Sequence, residues 1–147
     1  MPMPLIEWRH NRTRLLLPVV AMAPANAPNP NLTVRTMGLL DTGATGTGLR
    51  QDLIDTLMLR PKGQRRVHTA NGLLFANEYL LRIGFICGDY RDPEFEPDRQ
   101  LPFVLEDAIM GFGLQSGFGY PMLIGMDVIG GGDLSIARNG SASLRLY

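Results

Sequence analysis

The chain is poor in the residues that build disulfides and metal sites: one cysteine, Cys87, and two histidines, His10 and His68, in 147 residues. A single thiol excludes an intrachain disulfide and fits a reducing cytoplasm better than a secreted setting, so the expected localisation is cytoplasmic. Two imidazoles and one thiol are too few for a Cys/His zinc site, and no metal or other cofactor is expected. Charge of one sign is also missing. Fourteen basic and fourteen acidic residues leave a formal net charge of zero, which argues against nucleic acid or an anionic membrane as partner and permits self-association. No stretch approaches the roughly 18 consecutive apolar residues of a membrane-spanning helix.

What is present is an ordinary globular balance, 45% apolar and 19% charged, enough for one domain over residues 1–147 with a buried core. Arg9, Arg12 and Arg14 followed by the apolar residues 15–17 and 19–23 superficially resemble a secretory leader. Pro18 interrupts that stretch, and cleavage near Ala25 or Ala27 would remove the strand expected to partner residues 32–40. Residues 14–23 and 32–40 are therefore read as two strands joined through the Pro- and Asn-rich loop 24–31.

Beyond Asp41, Gly43, Gly46 and Gly48 allow tight or left-handed backbone, and Leu49, Leu53, Ile54, Leu57 and Met58 then recur at helical spacing until Pro61. A second hairpin is expected over 67–85, with Asn71-Gly72 as its turn. Residues 88–102, rich in acids and prolines, read as a surface loop, and a glycine-rich stretch with Phe112, Phe118 and Tyr120 follows. Residues 121–125 form another apolar strand ending in glycine. Met126 to Ile129 make one helical turn, and residues 134–147 form a third hairpin around Asn139-Gly140. Met22, Met37, Met58 and Met110 are expected to fill the core.

The chemistry concentrates in Leu39-Leu40-Asp41-Thr42-Gly43-Ala44, where an apolar strand ends on a carboxylate and a turn. The bland reading of Asp41 is an Asx-turn residue. The spacing of Gly43, Gly46 and Gly48 is not that of a dinucleotide loop, and no Gly-Lys-Ser/Thr follows. Ser116 lies outside any Gly-x-Ser-x-Gly context, and no Cys-His nucleophile pair is evident. Asp127 reads as a helix-start or backbone-bonding residue, Asp52, Asp55, Asp107 and Asp133 as solvated charges, and His68 as an exposed strand residue.

Taken with the Thr69-Ala70-Asn71-Gly72 turn and the late Leu123-Ile124-Gly125-Met126-Asp127 run, this arrangement resembles the retropepsin-like aspartic proteases, single-domain relatives of pepsin that include the retroviral enzymes. The resemblance implies a mostly β fold, an acid-protease half-barrel with one or two short helices, active as a homodimer on polypeptide substrates. It implies that Asp41 is the catalytic carboxylate, that Thr42 bonds across the pair, and that Gly43 and Ala44 complete the active-site loop. Ala70, Asn71 and Gly72 would form the flap tip, while Gly125 and Asp127 support the site.

Two carboxylates about 3 Å apart cannot both ionise, so one would activate water while the other donates a proton to the scissile carbonyl. One Asp-Thr-Gly per chain means that two chains must meet. Ala44 supplies no hydroxyl to the carboxylates, which predicts a mildly acidic optimum. The separation of the two motifs exceeds that of the compact viral enzymes, and the excess is assigned to a surface insertion at about residues 88–119. Thr45 and Met126 stand where retroviral members often carry an Asp–Arg ion pair, which suggests neutral packing in its place. The C-terminal residues 143–147 are a candidate intersubunit strand. The alternative function is a non-catalytic dimeric peptide-binding or scaffold module on the same fold.

Overall fold

Burial along the chain follows the strand period where two faces see different surroundings, as in the second half of the longest strand, where Tyr79, Leu81, Ile83 and Phe85 point into the core. The structure is a computed structural model describing residues 4–70 and 72–147. In chain order its elements are β1 (Leu5–Arg9), β2 (Leu16–Met22), β3 (Thr33–Leu40), β4 (Gly48–Leu49), α1 (Gln51–Thr56), β5 (Gly63–Thr69), β6 (Gly72–Phe85) and β7 (Gly88–Asp89). A single 3-10 turn (Pro97–Arg99) precedes β8 (Phe103–Val104), β9 (Ile109–Gly113), β10 (Met122–Ile124), α2 (Met126–Ile129), β11 (Asp133–Ile136) and β12 (Ser141–Arg145). No helix among the described residues is long and apolar enough to cross a membrane.

The larger sheet has eight strands in the order β2-β3-β10-β4-β9-β6-β5, with β8 paired to β6 and β2 also paired to β6. Residues 16–22 are thus a central strand, with β3 on one edge and β6 on the other. Leu17, Val19 and Ala21 of β2 meet Leu81, Ile83 and Phe85 of β6, Met122 and Ile124 of β10, and Leu53, Ile54 and Leu57 around α1 in one core. The smaller sheet runs β11-β12-β1-β7.

The helix is shorter than the apolar spacing suggests. Leu49 belongs to β4, and Met58, at φ 53°, ends α1 in the left-handed region. Its N–H bonds Asp55 O at 3.0 Å and the N–H of Leu59 bonds Ile54 O at 3.0 Å, the paired closure of a helix C-terminus that usually carries glycine at the Met58 position. The methionine expectation fails at three of its four positions: Met37, Met58 and Met110 are exposed and Met22 is half-buried, while Met122 is the methionine sealed in the core among the described residues.

Strand β1 has no clear signal in the sequence because its partners lie far away, Leu5 opposite Arg145 and Ile6 opposite Gly88. Strand β12 carries most of the segment considered for an intersubunit strand. Both of its edges are taken within the chain, by β1 and by β11, so it has no free edge to lend. Within the loop read at 88–102 only β7 pairs, with β1, and beyond it β8 and β9 join β6 and β4 in the larger sheet. Arg91 clips the loop to the smaller sheet, bonding Glu7 at 2.7 Å and Asp89 at 2.8 Å. That pairing holds the Asp89 carboxyl down at about 2. Burial raises the half-buried Cys87 thiol, which keeps it protonated and unreactive.

Candidate active site

Strands β3 and β10 lie parallel, Gly38 to Leu40 opposite Met122 to Ile124, so both apolar-to-glycine units end at the same level. Gly38 permits this approach, because a Cβ there would stand 2.9 Å from Ile124 Cγ1. Asp41 leaves the end of β3 with its N–H bonded to Ile124 O at 2.9 Å, and its Oδ1 accepts from the N–H of Gly43 at 2.8 Å. The second bond fixes the carboxylate over its own turn. Ala44 N–H returns to Asp41 O at 3.2 Å.

The loop is then tied to the start of α2. Met126 N–H donates to Ala44 O at 2.8 Å and Asp127 N–H to Thr45 O at 3.2 Å. Asp127 returns both carboxylate oxygens to Thr47, accepting from its N–H at 3.1 Å and its hydroxyl at 2.7 Å. The Thr47 hydroxyl in turn accepts from the N–H of Gly125 at 3.2 Å. Gly125 passes so close beneath that a Cβ would run into the Gly46 carbonyl oxygen and stand 3.0 Å from Ala44 O. Backbone bonds and the Thr47–Asp127 pair thus take the place of an ion pair between positions 45 and 126.

Asp41, Thr42, Gly43, Ala44, Gly125 and Asp127 are therefore brought together, with Asp127 in a backbone-bonding role. Gly43, Gly46 and Gly48 do not have positive φ. They are small because neighbours press on them: Asp41 Oδ1 lies 3.2 Å from a Cβ at Gly43, Arg65 Nη1 crowds Gly46, and the Leu114 side chain crowds Gly48. The flap positions sit elsewhere. Thr69 pairs with Gly72, so Ala70 lies beyond the end of the ladder, and Asn71 lies outside the described residues. Gly72 has φ 111°.

Sequence reasoning missed Thr47, among the described residues the one polar side chain wholly buried. Its signal was slight, a hydroxyl between two glycines. It also missed Arg65, which joins the base of the hairpin to the loop. The Arg65 guanidinium bonds Glu78 at 2.9 Å and Met110 O at 2.8 Å and lies over the Phe112 ring at 5.6 Å.

Asp41 and Thr42 open onto a cleft of about 510 Å³ whose other wall comes from the β1–β2 turn, with His10, Arg12 and Arg14, and from Ile136 of β11. Among the described residues no cluster of three His, Cys, Asp or Glu side chains could hold a metal ion. The arrangement presents one anchored carboxylate at the edge of an open cleft.

A two-sheet body with an aspartate delivered between parallel strands and a long hairpin beside it is the retropepsin-like fold. It superposes on the crystal structure of a retropepsin-like aspartic protease from Rickettsia conorii with a TM-score of 0.64 at 17% identity, covering 99% of this chain and 92% of that one. The retroviral protease-like domain of Ddi1 from Leishmania major aligns over 86% of this chain and 83% of its own, with a TM-score of 0.42 at 14% identity. No protein-family model and no curated protein matches the sequence.

Proposed function

We propose that the chain is an aspartic endopeptidase whose active unit is a homodimer, each protomer supplying one Asp41. The observation that carries this reading is the anchored Asp41 carboxylate, held by the Gly43 N–H at a cleft on a retropepsin-like scaffold. One carboxylate is half of the machinery. With a second Asp41 brought alongside, one holds a proton and the other takes a proton from water as the water oxygen bonds the scissile carbonyl carbon, while the held proton goes to the carbonyl oxygen. The proton taken from water then passes to the nitrogen as the C–N bond breaks, and a hydroxyl proton of the collapsing diol returns to the other carboxylate, releasing acid and amine. Thr42, exposed beside Asp41, is placed at the meeting of the two loops, and Ala70, Asn71 and Gly72 close over an extended peptide.

Because β12 is occupied on both edges, the two protomers meet through the loops and not through a shared C-terminal strand. Cleavage of a mixed peptide library by wild type and by Asp41→Asn tests the reading. Cleavage by wild type alone, blocked by a statine-type isostere, is expected. Equal cleavage by both proteins removes Asp41 from the chemistry, and cleavage by neither favours the scaffold alternative.

A further inference from the structure

The wall of the Asp41 cleft is built with unusual care for a surface turn. Asn11 Oδ1 accepts three bonds, from Thr13 N–H at 3.0 Å, the Thr13 hydroxyl at 2.9 Å and Arg14 N–H at 2.9 Å. Arg12 is held at φ 69°, a left-handed conformation that disfavours a non-glycine residue. Its N–H donates to His10 Nδ1 at 3.0 Å, which leaves His10 Nε2 to donate to Ala137 O at 2.8 Å. The turn is thereby fixed to the β11–β12 connection.

What the turn presents is positive charge without a counter-ion. Arg14 lies over the Tyr120 ring at 5.7 Å, and Arg12 donates to Arg138 O at 3.4 Å. Neither guanidinium forms an ion pair among the described residues, in contrast to Arg50, Arg65, Arg91 and Arg99. Asp41 is the one acidic side chain lining the cleft. Among the described residues the cleft thus carries two guanidiniums without a carboxylate partner beside the single Asp41 carboxylate.

We infer that Arg12 and Arg14 form a specificity wall that selects polypeptides carrying an aspartate or glutamate side chain close to the scissile bond. The inference rests on the reading of Asp41 as the hydrolytic centre, since that is what brings the peptide into this cleft. A guanidinium offers a carboxylate two parallel N–H donors, and the contact of Arg14 with the Tyr120 ring leaves its donor edges unused. The low net charge elsewhere leaves this local field unopposed.

The experiment has two arms. In the first, a peptide library varied around the cleavage point is digested by wild type and by the Arg12→Gln/Arg14→Gln double variant. Wild type should favour Asp or Glu over Asn or Gln at one position by about tenfold, the double variant by less than about twofold, and Arg14→Glu should turn the preference towards Lys or Arg.

In the second arm, Asp41→Asn and the triple variant bind twin peptides differing by one Asp-to-Asn exchange, followed by calorimetry at low and high salt. Selective binding that the two arginine substitutions abolish and salt weakens supports the wall even where no cleavage is seen, in which case only the hydrolytic reading falls. Cleavage or binding without acidic preference, or a preference unchanged in the double variant, overturns the inference. So does a change of preference that sedimentation traces to dissociation of the assembly.

Discussion

The Asp41 loop and the β5–β6 hairpin are held in opposite ways. The loop is bound to the rest of the molecule by hydrogen bonds from Asp41, Thr47, Gly125, Met126 and Asp127, centred on a threonine with no exposure. Beyond Arg65 the hairpin rests mainly on its own ladder, and it carries Leu73 and Phe75 exposed at 47% and 66%. Few buried contacts and solvent-facing backbone bonds mean a low local opening energy. The molecule thus fixes the Asp41 carboxylate firmly and leaves the outer hairpin loosely held, the division of labour that the proposed hydrolysis requires.

Substitution at Gly125 should collapse that difference most completely. Gly125→Ala puts a methyl into the Gly46 carbonyl, so either α2 or the loop must move, and a loss of about 3 kcal/mol or more in urea unfolding is expected. Thr47→Val comes next. It leaves the Gly125 N–H without its acceptor and Asp127 Oδ1 without the hydroxyl donor, keeping only the Thr47 N–H on Oδ2, for about 2 kcal/mol, while Thr47→Ser should lose under about 1 kcal/mol.

On the hairpin side, Arg65→Ala removes the clasp to Glu78 and Met110. About 1 kcal/mol of stability is at stake, but hydrogen exchange should quicken along residues 63–78 and also along 42–48, because the guanidinium lies against Gly46. Faster exchange confined to the hairpin would mean that the two regions are not coupled there.

The smallest effect concerns acid. Asp89 has its carboxyl lowered to about 2 from an ordinary 3.8, first by the Arg91 side chain, so its contribution is present above about 3.8 and is lost as pH falls towards 2. Thermal melts between pH 5 and pH 2 should fall more steeply for wild type than for Asp89→Asn. The carboxylate is open to solvent, so the difference is small.

Much of the site was legible because it is local. An apolar run, an aspartate and a glycine turn are contiguous in 39–44, and the second unit in 123–127 repeats the pattern. What escaped reading is what depends on distant partners. β1 is defined by β12 at the other end of the chain, and β9 by β6 and β4. Thr47 acquires its role only when Asp127 arrives, and the arginines of the β1–β2 turn look like a leader's basic segment until Ile136 and Asp41 are seen across the cleft from them. The glycines show the same limit. Composition announces that small residues are needed, but only the packed neighbours reveal that close approach, and not left-handed backbone, is the reason at Gly46 and Gly48.

The claim that each protomer brings half of an acid pair is tested most directly by mixing. Wild type and Asp41→Asn are unfolded together, refolded at fixed total concentration, and assayed across the range of mixing ratios. If two aspartates are needed, activity follows the square of the wild-type fraction, so an equal mixture retains about a quarter of full activity under random pairing. A straight-line dependence, with half the activity at equal mixing, would contradict the account.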